Sequence, residues 1–80
     1  MQAIDSFRQA LAMAQHQAQV LKLAGYRGTI LPRRQEERVE LLATRPRAKH
    51  ALHVTYHPGG VEVERLEVAS LAEARALIEA

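Results

Sequence analysis

The sequence predicts an α+β fold: a long N-terminal helix, a three- to four-stranded antiparallel sheet, and a short C-terminal helix. Three observations predict it. Apolar residues recur at helical spacing through residues 2–24. Pro58-Gly59-Gly60 separates two runs that alternate apolar and polar residues. Ser70-Leu71-Ala72-Glu73 opens a second helical stretch. Eighty residues make a single small domain, 1–80.

The first helix is read over residues 2–24. Ile4, Phe7, Leu11, Ala14, Ala18 and Leu21 form a heptad-like seam, and Ala10, Met13, Val20 and Ala24 widen it. Gly25 is the natural stop. At ~35 Å this helix is longer than strands of six to eight residues, which span ~20–27 Å. Part of it is therefore expected to overhang the sheet. Thr29-Ile30-Leu31 reads as a brief edge strand ended by Pro32, and Arg33–Glu37 as a charged connection. Arg38–Thr44 fits either a strand with Val39, Leu41 and Ala43 on one face, or a helix with Val39, Leu42 and Ala43 on one. Its shortness and the following Arg45-Pro46 favour the strand.

The central hairpin runs over 50–57 and 61–68, closing a meander. Pro58 fixes one backbone angle and Gly59 tolerates positive φ, which marks a turn. Because a type II turn suits a hairpin poorly, a longer loop with Gly60 left-handed, which moves the register by one, is the rival of a two-residue loop. The two-residue loop sets His57 opposite Gly60. Tyr56 then faces Val61 and Val54 faces Val63, with Thr55–Glu62 and His53–Glu64 on the other side. Beyond Val63 the apolar phase shifts to Leu66 and Val68. An extra residue at Glu64–Arg65, setting Leu52 against Leu66, is the expected remedy: a β-bulge. The last helix begins with the Ser70/Glu73 capping box and carries Leu71, Ala74, Leu77 and Ile78 as its buried stripe. Both helices are expected on one sheet face, a two-layer sandwich. The other face then shows Arg38, Glu40, His53, Thr55, Glu62 and Glu64.

The chain has no cysteine, so it offers neither disulfides nor thiolate metal sites. Its formal charge is only +2, but the distribution is uneven. Residues 25–57 carry +4 and residues 58–80 carry −3. No apolar run approaches the ~20 residues that span a bilayer, and no secretory leader is evident. The expected setting is cytoplasmic.

Little of the sequence suggests catalysis. His53 and His57 share a strand face but lie ~13 Å apart, too far for one ion bound at ~2 Å. Ser6 sits in the first helix and Ser70 serves as a cap, and neither has a histidine and acid at a recognisable spacing. The glycines form no phosphate-cradling loop. Neither a metal nor a cofactor is expected, and the chain reads as a non-enzyme. The expected function is that of a small accessory or regulatory protein, of the kind that includes inhibitors. It would bind a protein partner, as a homodimer, with Phe7, Leu11, Met13 and Ala14 as the homotypic surface.

The alternative is a nucleic-acid-binding module (DNA or RNA) that sets Arg33, Arg34, Arg45, Arg47 and Lys49 on phosphates. The helix–strands–helix order resembles double-stranded-RNA-binding domains. The closing strand–strand–helix unit resembles small DNA-binding modules of integrases. Both resemblances are of topology. The basic cluster that RNA-binding domains carry at the start of their last helix is replaced here by Ser70-Leu71-Ala72-Glu73.

Overall fold

A computed structural model describes residues 6–79 of the chain. Helix α1 spans Phe7–Leu23, strands β1–β4 span Arg27–Arg33, Arg38–Thr44, Ala51–His57 and Gly60–Leu66, and helix α2 spans Leu71–Ile78. The strands form one antiparallel sheet in the order β1-β2-β3-β4, a plain meander. The expected α+β architecture and element order are therefore found.

Helix α1 starts later than its apolar seam suggests. Ser6 is its N-cap in extended backbone, and its hydroxyl accepts a hydrogen bond from the Gln9 N–H at 3.1 Å. Ile4 and the rest of 2–5 lie outside the described residues. The 17-residue helix is ~25 Å long, about the length of a seven-residue strand; residues 2–5, which the expected overhang includes, lie outside the described residues. Its end follows from Gly25, which adopts φ +92°. The Tyr26 N–H reaches the Leu21 carbonyl at 2.9 Å and the Gly25 N–H reaches that of Lys22 at 3.0 Å. This is a Schellman closure, with Tyr26 and Leu21 in the places of its apolar contact.

The hairpin has the anticipated register. His57 pairs with Gly60, Tyr56 with Val61, Val54 with Val63 and His53 with Glu64, and Gly59 takes φ +103°. The bulge is not found. Pairing continues unbroken through Leu52↔Arg65 to Ala51↔Leu66. The apolar phase shifts because the buried face changes, and not because a residue is inserted.

That change of face corrects the expected layering. Paired residues share a sheet face, so Ile30, Val39, Leu41, Val54 and Tyr56 lie on one side. There they pack with Ala10 and Ala14 of α1, flanked by Phe7, Leu11, Met13, Ala18 and Leu21. Leu31, Leu42, Ala51 and Leu66 lie on the other side and pack with Ala74, Val68, Leu71 and Ile78. The helices cover opposite faces, and the sheet is the middle layer of three. Leu66 therefore belongs opposite Ala51, under α2. Leu77, expected in the α2 stripe, is instead 54% exposed.

Strand β2 lies at the centre of the molecule. Val39 through Ala43 are all buried, because α1 covers one face and α2 the other. A strand buried on both sides loses the two-residue alternation. β1 is longer than Thr29–Leu31 and includes Pro32, paired with Val39, which an edge strand tolerates.

Candidate functional site

Three surfaces carry chemistry. The first lies on the α2 face of the sheet. Glu40, expected in solvent, is only 5% exposed. Its carboxylate accepts from Arg33 Nε at 2.7 Å and lies 3.0 Å from His53 Nε2. Arg33 also donates to Glu79 at 3.1 Å, and His53 Nδ1 lies 3.3 Å from Glu64. Burial pushes the Glu40 carboxyl up, but hydrogen bonds from Arg33 and His53 and the charges of Arg33 and Arg38 outweigh it. The net direction is below the ordinary carboxylate value. Arg33 is raised by its hydrogen bonds to Glu40 and Glu79. Both ring nitrogens of His53 face carboxylates. The network ties β1, β2, β3, β4 and the end of α2 together.

Beside it, at the turn end, His57 Nδ1 lies 2.9 Å from the Pro58 carbonyl. His57 Nε2 lies 2.9 Å from Glu62, an electrostatic approach without hydrogen-bond geometry. Arg38 Nε is buried there without a hydrogen-bond partner. Among the described residues no three metal-ligating side chains converge.

The second surface is the sheet end where β1 begins. The register sets Arg27 opposite Thr44, which places Arg27 beside Arg45 and Arg47. A cleft of about 420 Å³ is lined by these arginines, Thr44, and Ser70 and Leu71 at the start of α2. The Arg45 guanidinium lies over the Tyr26 ring, 5.8 Å from its centre. Lys49 is exposed in the same loop.

The third surface is the outer edge. Residues 61–65 of β4 are all exposed. Val61 and Val63, on the α1 face, are 45% and 69% exposed, because α1 lies over β1, β2 and β3. A cleft of about 380 Å³ between α1 and β3 is lined by Ala12, Met13, His16 and Tyr56.

No protein-family model, curated protein or solved structure matches this chain.

The residues singled out in the sequence are dispersed. Arg33 and Arg34 lie at the sheet end opposite Arg45, Arg47 and Lys49, with Arg33 paired to Glu40 and Glu79. Arg34 sits 4.9 Å above the Phe7 ring. Phe7, Leu11 and Met13 pack against the core and Ala14 is fully buried in it, which leaves Ala14 no surface to offer a second copy. Arg27 was missed. The signal was present: in an antiparallel pair over 27–33 and 38–44, the first residue of one strand neighbours the last of the other. Among the described residues no helix is long and apolar enough to cross a membrane.

Proposed function

We propose that this chain is a non-enzymatic binding protein that receives a protein partner as an added strand along β4. The observation that carries the reading is the exposure of residues 61–65, with Val61 and Val63 uncovered on the α1 face. His57 and Gly60 flank a two-residue loop and so form a hydrogen-bonded pair. Such pairs alternate along the ladder, so the N–H and C=O groups of Val61, Val63 and Arg65 point outward. They form a template for strand addition. The commitment of Ser6 and Ser70 to caps and of His53 to two carboxylates supports the non-enzymatic part.

The edge also defines its partner. Glu62 and Glu64 lie on one face and Val61 and Val63 on the other. A segment alternating basic and apolar residues satisfies both. A symmetric homodimer through this edge is disfavoured. Antiparallel self-pairing centred on residue 62, 63 or 64 places glutamate directly opposite glutamate.

The test uses a short peptide alternating Lys and Val, followed by amide chemical shifts. Saturable shifts concentrated in residues 60–66, lost in Val63→Pro, support strand addition. Pro there removes an outward donor without touching the internal ladder. Absence of shifts along β4, or equal binding by Val63→Pro, overturns it.

A further inference from the structure

We infer that the arginine-lined cleft at the other end of the sheet binds a phosphate group. This does not rest on the strand-addition reading, since the cleft and β4's exposed edge share no lining residue. The carrying observation is a contrast among the arginines. Arg33, Arg38, Arg65 and Arg75 each pair with a glutamate. Among the described residues, Arg8, Arg27, Arg34, Arg45 and Arg47 pair with none, and of these Arg27, Arg45 and Arg47 line one cleft that no carboxylate lines. Gathering like charges without counter-charge is unfavourable unless a ligand supplies it. Guanidinium forks match phosphate oxygens bidentately.

The surroundings fit the same ligand. Stacking over Tyr26 restrains Arg45. Thr44 lines the wall. The first turn of α2 opens into the cleft at Ser70 and Leu71, and the positive end of a helix dipole adds to the field there. Glu73 in that turn is engaged by the Ser70 hydroxyl at 3.3 Å. At about 420 Å³ the cleft accommodates a phosphate with part of what carries it. That carrier is either a small phosphorylated molecule or a nucleic-acid backbone.

Arg47 supplies a clean variant. It holds φ +69°, a conformation that favours glycine, so Arg47→Gly removes the charge while easing the backbone. The experiment follows amide shifts of the full chain with inorganic pyrophosphate, and separately with a ten-nucleotide single strand. Expected are saturable shifts confined to residues 27, 44–49 and 69–72. Dissociation constants should rise about tenfold in Arg45→Ala and in Arg47→Gly, consistent with loss of a charged hydrogen bond. Arg34→Ala, at the opposite end of the sheet, should bind as the unaltered chain does. Tighter pyrophosphate binding assigns the phosphate to a small molecule, and tighter oligonucleotide binding assigns it to a nucleic-acid backbone. No saturation with either, equal shifts at residues 33–38, or undiminished binding by Arg47→Gly overturns the site.

Discussion

At the residue scale the chain depends most on Glu40. A carboxylate 5% exposed in the middle of a sheet is costly unless it is fully partnered. Arg33 and His53 supply those partners at 2.7 and 3.0 Å. Removing it leaves a guanidinium and an imidazole facing a void, so Glu40→Ala should cost about 3 kcal/mol, the lower end for breaking a buried pair. Urea denaturation at neutral pH measures this. The direction of the Glu40 pKa also predicts a pH dependence. Its folded value is lowered, so its stabilisation is present above the ordinary carboxylate value, ~4.3. It is lost as pH falls through the lower folded value. Glu40→Gln should therefore be less stable near neutrality and should lose less on acidification to about pH 3, below the reference glutamate pKa. A variant whose stability falls with acid as steeply as the unaltered chain's would show that other carboxylates govern the acid limb.

At the element scale, legibility tracked local chemistry. The hairpin register was readable because one face alternates cleanly on each flank of Pro58-Gly59-Gly60, although the turn residues alone left a longer loop through Gly60 open. The Gly25 stop and the Ser70 cap were readable because each is one residue with one backbone role. Strand β2 was ambiguous because two helices bury it from both sides, which erases the alternation that marks a strand. The bulge was a misreading of the same cause: Leu66 broke phase because it serves α2. Nothing local in the sequence says on which face a terminal helix docks. The paired arginines were equally illegible, since Arg33 and Glu40 meet only once β1 and β2 are in register. Local roles of this kind give sharp tests. Gly25→Ala should cost about 1 kcal/mol. A Cβ there meets nothing within 4 Å, so the cost is that of φ +92° alone. Thermal unfolding decides it, and a variant as stable as the original would mean that another residue closes α1.

For the whole molecule, the asymmetry of the sheet is the decisive property. β1 is an edge strand interrupted by Pro32, which deters pairing with another chain. β4 carries no proline, and its protection rests on Glu62 and Glu64, both exposed on one face. Those charges add little to the fold: Glu64 and Glu62 are themselves largely in solvent where they approach His53 and His57, and pairs with so exposed a partner contribute ~0–1 kcal/mol. Their physical effect is on association. Replacing both by threonine leaves a Val-Thr-Val-Thr edge with outward amides at Val61 and Val63, a flat β-forming strand with no opposed charges. Glu62→Thr combined with Glu64→Thr should therefore stay folded and self-associate at high micromolar concentration, while the unaltered chain stays monomeric. Light scattering across a dilution series reads both. A monomeric double variant would mean that the β4 edge is not a competent template for strand addition. An unaltered chain already dimeric would place the self-contact on another surface, with the exposed Leu23 and Val20 of α1 the first residues to substitute.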